Sequence, residues 1–329
     1  MISCQWCEEL ADDDRDEVLA LVGAAAEYDD EAGFSRIEPR DVTARSRPGV
    51  RVSHLAVKAR RGLSAVDDVP LVVVAYLNIA VDDDGLGTVQ FVVHPDYRSR
   101  GIATLLVEEL GLDVDRPEGW MGTGARALRV WAFGTHPAAE RLTRRFGISS
   151  VSRLWTLFRS LTGPFAVPLD PVHLPAGSAL EGPRALDAPG SVEALDDVLG
   201  RSGIPAAQLE KLSESRAHGT GSVVLASGDA GRAQGFVWLD PSLHTHLELR
   251  ASWIRALVLE KEARGGGLGA ALLVRALEVL RDAGAQIALM RIDPDDDGAV
   301  RLCRLLSFEQ EDAHTCYQVG EWHEAPGYL

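Results

Sequence analysis

One pattern occurs twice in this chain, and it constrains the fold more than any other feature. The first copy reads Phe91-Val92-Val93-His94-Pro95-Asp96-Tyr97-Arg98-Ser99-Arg100-Gly101-Ile102-Ala103-Thr104. The second reads Leu257-Val258-Leu259-Glu260-Lys261-Glu262-Ala263-Arg264-Gly265-Gly266-Gly267-Leu268-Gly269-Ala270. Each is an apolar strand, a polar turn, then Arg-x-x-Gly-x-Gly/Ala opening an amphipathic helix. Arg98 and Arg264 lie 166 residues apart, about half of a 329-residue chain. One fold built twice is the simplest source of such spacing.

The turn is built for an anion. The first N–H groups of a helix lack intrahelical partners, and the helix dipole adds partial positive charge there. Glycine lets a phosphate approach the backbone and permits positive φ. Arg98, Arg100 and Arg264 are placed to add charge-assisted hydrogen bonds. The expected ligand carries a di- or polyphosphate. A P-loop Gly-x-x-x-x-Gly-Lys-Ser/Thr is absent, and neither turn completes the Gly-x-Gly-x-x-Gly of a dinucleotide fold.

The surroundings repeat as well. Alternation predicts strands near 2–8, 50–59, 70–79 and 88–93, a helix from Ile102, a strand at 127–133, a helix opened by His136-Pro137, and a strand at 151–158. Prolines 164, 168, 171 and 175 then break periodicity. After them come a strand near 178–186, helices near 191–200 and 206–217, and strands at 222–226, 233–239 and 253–259. A helix at 269–283 carries Leu272, Leu273, Ala276, Leu277 and Leu280 on one face. A strand at 286–292, a helix near 298–306 and a strand near 312–319 close the chain. The predicted class is α/β, with domains at 1–162 and 178–329 and a linker at 163–177.

Composition removes several functions. The net charge is −16 and both halves are acidic, so the footprint of a nucleic-acid binder or of an anionic-membrane binder is missing. No apolar run approaches the ~18 residues of a membrane span, and 1–10 has neither a basic nor an apolar signal region. A cytoplasmic location is expected. Four cysteines in a reducing compartment do not form a disulfide framework. Cys4 and Cys7 have half the spacing of a zinc site, but lie three apart on a strand and so on opposite faces. Asp293, Asp295 and Asp297 imitate a calcium loop whose twelfth position is Arg304, and read instead as helix-capping residues. His244 and His246 share a strand face without a third ligand, and read as a hairpin surface. Trp131, Trp155, Trp238 and Trp253 read as core. No metal is expected.

The paired Arg-x-x-Gly-x-Gly/Ala turn resembles motif A of the GNAT superfamily of acyl-CoA-dependent N-acyltransferases. A second family element, Asn-x-x-Ala-x-x-Leu-Tyr-x-x-x-Gly-Phe, is similar to His136-x-x-Ala139-x-x-Leu142-Thr143-x-x-x-Gly147-Ile148 and to Asp296-x-x-Ala299-x-x-Leu302-Cys303-x-x-x-Ser307-Phe308. The resemblance covers nearly the whole chain. It implies two tandem GNAT domains, each a mixed, mostly antiparallel twisted sheet flanked by helices. It implies acetyl-CoA or another acyl-CoA held by Phe91, Val92, Val93, Arg98, Ser99, Arg100, Gly101, Ile102, Ala103, Thr104, His136 and Ala139 in one half. In the other the holders are Leu257, Val258, Leu259, Arg264, Gly265, Gly266, Gly267, Leu268, Gly269 and Ala270. It also implies a strand bulge near Val92-Val93 and Val258-Leu259 whose N–H meets the thioester carbonyl.

Acyl transfer to an amine needs a neutral amine, a polarised carbonyl and a protonated leaving thiolate. The family's acid, a helix Tyr, is replaced here by Thr143 and Cys303. Cys303 is therefore the candidate acid, with buried packing as the plainer role, and Glu248 the nearest carboxylate to the family's Glu position. The expected function is transfer, most simply of acetyl, to a small-molecule amine by a monomer or weak dimer, the N-terminal coenzyme being structural. The alternative is an acyl-CoA-binding protein with little catalysis.

Overall fold

The computed structural model describes residues 2–28, 37–61, 69–135, 137–218, 220–228 and 231–327. The first half runs β1 (Ile2–Cys7), α1 (Asp12–Tyr28), α2 (Pro39–Val42), β2 (Val50–Arg60), β3 (Leu71–Asp82), β4 (Leu86–Val93), α3 (Ile102–Leu110), β5 (Ala127–Ala132), α4 (Pro137–Phe146) and β6 (Ser149–Ser160). The second runs β7 (Ala179–Ala185), α5 (Ser191–Ser202), α6 (Ala206–His218), β8 (Ser222–Ser227), β9 (Ala233–His246), β10 (Leu249–Leu259), α7 (Leu268–Asp282), β11 (Ile287–Ile292), α8 (Asp297–Leu305) and β12 (Glu309–Val319).

Contacts divide the chain into two compact units, Met1–Arg153 with His314–His323, and Leu154–Ala313 with Glu324–Leu329. In the first unit the strand order is β1-β2-β3-β4-β5 followed by β12. Every neighbouring pair is antiparallel except β4–β5. In the second the order is β7-β8-β9-β10-β11 followed by β6, and only β10–β11 is parallel. Each sheet is thus completed by a strand from the other half of the chain. A linear division at 163 passes over this exchange, because pairing of the sixth strand is set by non-local contacts that periodicity does not carry.

The faces of each sheet are covered separately. In the first unit α3 packs Ile102 and Leu106 against Leu55, Val57, Ile79 and Leu128. On the other face α1 packs Val18, Leu21, Val22 and Ala25 against Tyr76 and Val92. In the second unit the predicted stripe of α7 is buried on Val237, Leu239, Ile254, Ala288 and Met290. Each such leucine contributes roughly 1.5–3 kcal/mol by leaving water. The opposite face packs Leu195, Val198 and Leu199 of α5 on Phe236, Trp238 and Val258.

The smaller sequence readings resolve locally. Cys4 and Cys7 lie in different core clusters, on opposite faces of β1. Among the acidic residues before α8, Asp296 caps the helix, accepting from the N–H groups of Gly298 at 2.9 Å and Ala299 at 3.0 Å. Asp296→Ala is expected to lower stability by about 1 kcal/mol, measured by urea unfolding.

Candidate functional site

The two turns have the same backbone. In the first unit β4 passes through a single-turn helix, Pro95–Tyr97, to Ser99 at φ 59° and Gly101 at φ 81°. In the second β10 passes through Lys261–Ala263 to Gly265 at φ 81° and Gly267 at φ 92°. Gly101 and Gly267 are the helix N-caps, in a left-handed conformation that side chains rarely adopt, and neither offers a capping side chain. The first helical bonds run from Leu105 N–H to Gly101 and from Ala271 N–H to Gly267. The amides of Ile102, Ala103 and Thr104, and of Leu268, Gly269 and Ala270, therefore precede the ladder and face the anion position. A Cβ placed on Gly101, Gly265, Gly266 or Gly267 would meet nothing within 4 Å, so open space adjoins these amides. This cradle fits a diphosphate.

The strands before the turns fit the rest of a long coenzyme. In the first unit the β4–β5 ladder ends at Val89 with Val130, while β4 continues to Val93. In the second the β10–β11 ladder ends at Ile254 with Met290, while β10 continues to Leu259. Beyond those pairs each parallel pair separates and leaves an open edge above the turn.

The units differ at that point. Nine positions separate Val89 from Arg98, but ten separate Ile254 from Arg264. The extra residue is Arg255. The β10–β9 register shifts between Ile254 and Ala256, whereas the β4–β3 register is continuous over Gly87 to Val93. The bulge expected near Val258-Leu259 thus lies earlier, at Arg255. None interrupts β4 at Val92-Val93, because β3 follows β4 pair by pair. A charged residue inside the apolar run Trp253-Ile254-Arg255-Ala256-Leu257 is the sequence signal that was available for this.

The bulge brings a polar group onto the sheet face opposite α7. Trp253 stands opposite Asp240 in the ladder, and Arg255 pairs with the Asp240 carboxylate at 2.6 Å. The guanidinium of Arg255 lies 5.5 Å from the Trp253 ring centre and that of Arg291 4.8 Å. His244 stacks on Trp253 at 6.4 Å with 11° between the rings. Desolvation first, then the charge interactions with His246 and Arg255, push the His244 imidazole below its ordinary 6.5. It is neutral at pH 7 and able to take a proton. The equivalent place in the first unit, the pair before the ladder end, is Thr88 opposite Ala80. Trp253 packs beside the buried Ala251, Ile287 and Leu289, as its core reading expects, and His244 is exposed and His246 half-buried in the hairpin, as a hairpin surface expects; Asp240 and Arg255 are the members of the group that the sequence does not mark.

The remaining predicted residues fall as follows. Arg98 Nε donates to the Val93 carbonyl at 3.0 Å, and Arg264 Nη2 to that of Ser202 at 2.7 Å. Arg100 lies over the Tyr97 ring at 5.7 Å. Val92 and Val258 are buried in the α1 and α5 cores, and Phe91, Leu257 and Leu259 pack on the other face. Ala139 is half-buried on α4, and its carbonyl accepts from Thr143 at 2.9 Å. His136 lies outside the described residues. Cys303 sits in the α7 core at 2% exposure, and burial pushes its thiol up to about 12. Glu248 lies at positive φ in the β9–β10 hairpin, at the opposite end of β10 from the turn. It lies seven positions from Arg255, roughly 23 Å at about 3.3 Å per residue of strand. Among the described residues no group of three metal-ligating side chains is brought together.

The model of the Acetyltransferase (GNAT) family matches this chain twice, over residues 37–147 and 195–308. The chain belongs to the GNAT acetyltransferase family. It is a tandem member and an N-acetyltransferase, and each family match contains one phosphate turn and one parallel ladder that opens. It is similar to the mycothiol acetyltransferase of Saccharomonospora viridis, 29% identical over 328 residues, covering 96% of this chain and 98% of that one. A protein of the same name from Salinispora arenicola is 29% identical over 314 residues, covering 92% of each. Among solved structures, a tandem GNAT protein from the clavulanic acid biosynthesis pathway superposes with TM-score 0.64 at 20% identity, covering 100% of both chains. A GCN5-related N-acetyltransferase from Sphaerobacter thermophilus gives 0.62 at 19%, covering 99% of this chain and 97% of that one. These two establish the fold. No helix among the described residues is long and apolar enough to cross a membrane.

Proposed function

We propose that the second unit of this acetyltransferase moves an acetyl group from acetyl-CoA to the amine of a small molecule, and that the first unit holds its coenzyme as structure. The observation that carries the division is the bulge at Arg255, which β4 lacks. A bulge releases main-chain groups from the ladder and re-aims the strand beside the open edge. An N–H released there polarises the thioester carbonyl. The backbone of Gly265, Gly266, Gly267, Leu268, Gly269 and Ala270 holds the pyrophosphate, and Gly101, Ile102, Ala103 and Thr104 do the same in the first unit. Bound acetyl-CoA supplies an activated acyl group.

The acceptor is received on the face carrying Trp253, Asp240 and His244. Trp253 is its floor, and the neutral His244 takes the amine proton directly or through water. Cys303 does not fit the acid's role, since a thiol packed among leucines reaches no leaving group. Solvent at the open edge reprotonates the thiolate. The name of the two relatives makes the acceptor of mycothiol acetyltransferases the first amine to assay. Four free cysteines fit a reducing, cytoplasmic setting.

Thiol release from acetyl-CoA over a panel of amines tests the activity. Acceptor-dependent release supports it; coenzyme retained with only background hydrolysis would return the protein to a binding role. Native mass spectrometry is expected to count two acetyl-CoA per chain. With His244 as base, the acid limb of kcat/KM lies below pH 6.5, because depression of the pKa keeps the ring neutral until more acidic pH. His244→Gln is expected to remove that limb and lower kcat about 10²-fold or more. A limb unchanged in the variant would exclude His244.

A further inference from the structure

The arginine of each glycine turn donates to a backbone carbonyl. Arg264 directs Nη2 to the carbonyl of Ser202, the last residue of α5, and makes a longer contact of 3.4 Å with the Leu259 carbonyl. A helix C-terminus presents unpaired carbonyls and partial negative charge, so a guanidinium is favoured there. The neighbouring residues make the same connection. Arg201, in the last turn of α5, pairs with the buried Glu260 and donates to the Ala233 carbonyl at 2.8 Å. Arg232 meets the same carboxylate at 3.3 Å. The Lys261 stem crosses Gly203 so closely that a Cβ there would strike it.

Residues 260–264 are thus fastened to one helix end, and the coenzyme glycines follow immediately. That helix, α5, covers the face carrying Val258 and Trp238, the face onto which Trp253 and Asp240 project. In the first unit Arg98 turns back in the same manner, donating to Val93 and lying 5.2 Å from the ring of Tyr28 at the end of α1. Both copies therefore direct this side chain to the close of the unit's first long helix.

We propose that Arg264 is a positioning residue that latches the coenzyme turn to the C-terminal end of α5, so that filling the turn orders the helix covering the acceptor face. The reading rests on the second unit being the coenzyme-binding, catalytic one. Its consequence is that pyrophosphate binding at residues 265–270 protects amides near 199–204, at the far end of α5 from its N-terminus.

Hydrogen exchange on the whole chain tests this. In the wild type, acetyl-CoA, and inorganic pyrophosphate alone, are expected to slow exchange at 199–204 as well as at 265–270. In Arg264→Gln, saturating acetyl-CoA is expected to protect 265–270 still, while 199–204 exchange as in the free protein. Calorimetry should show an affinity loss smaller than tenfold. Melting without coenzyme checks that the variant is folded, and the wild-type pyrophosphate experiment stands without any variant. A hundredfold loss of affinity with 199–204 still protected at saturation would make Arg264 a direct phosphate ligand and overturn the latch. So would wild-type protection confined to 265–270. Absence of acetyl-CoA binding by the wild type would overturn the coenzyme reading and the latch together, and calorimetry alone distinguishes that result.

Discussion

Gly267→Val is expected to abolish turnover while the protein remains folded, and Gly101→Val to spare it. Gly267 holds φ at 92°, where a β-branched residue is strained by about 1–3 kcal/mol. The new side chain would also enter the space beside the amides of Leu268, Gly269 and Ala270, which is otherwise unobstructed. A pyrophosphate kept even 1 Å from its place misaligns the thioester, and displacement of that size costs about 10²-fold in rate. Global folding survives, because α7 is held by ten buried residues rather than by its cap. Gly101 at φ 81° meets the same strain and the same open space, so both variants lose comparable stability. Only the second unit has the bulge and the face bearing Trp253, Asp240 and His244, however. The comparison therefore isolates catalysis from stability: kcat/KM falls at least about a hundredfold for Gly267→Val and little for Gly101→Val. Turnover lost only in the Gly101 variant, with circular dichroism unchanged, would reverse the assignment of units.

The fold and the two glycine turns between strand and helix were legible because their determinants are local. Glycines at fixed offsets, a strand before them and an apolar stripe after them are short-range signals, and α7 buries the five residues its periodicity indicated. Helix α1 was not read, since Val18, Leu21, Val22 and Ala25 make a narrow stripe in an acidic, alanine-rich run. The sixth strand of each sheet was not legible either: β12 beside β5 joins residues almost two hundred positions apart, and nothing within either strand specifies it. The face proposed for the acceptor was hidden for a similar reason. Asp240, Trp253 and Arg255 look like an interrupted apolar pattern until the bulge places them together. The catalytic assignments made from the family's motif were the most exposed to error. Position alone put Cys303 and Glu248 forward, yet one is closed into a leucine core and the other stands at a hairpin.

Glu260→Gln is expected to give the largest loss of stability among substitutions at the turn. The carboxylate is 3% exposed and serves two arginines, Arg201 and Arg232. Breaking a buried pair by removing one member costs about 3–5 kcal/mol, because the other charge stays desolvated. Here the loss is tempered. Arg201 is 24% exposed and keeps Asp197 at 2.6 Å and the Ala233 carbonyl, and Arg232 is 60% exposed and returns to water. A loss of about 2–3 kcal/mol follows from discounting the exposed partners. At roughly 2–4 °C per kcal/mol for domains of this size, the melting temperature falls by about 4–12 °C. The exposed pair of Arg144 with Glu140 provides the contrast, since its members are 76% and 57% accessible and Glu140→Gln costs at most about 0.5 kcal/mol. A double-mutant cycle with Arg201→Gln separates pairing from packing: the double variant should be more stable than the two single losses sum to, because the second substitution removes the stranded charge. Additive losses, or a melting temperature unchanged in Glu260→Gln, would show that burial of this carboxylate does not depend on its arginines. The same variant loosens the anchor of α5 to the coenzyme turn, so its affinity for acetyl-CoA should fall alongside its stability, although Glu260 carries the wrong charge to touch a phosphate.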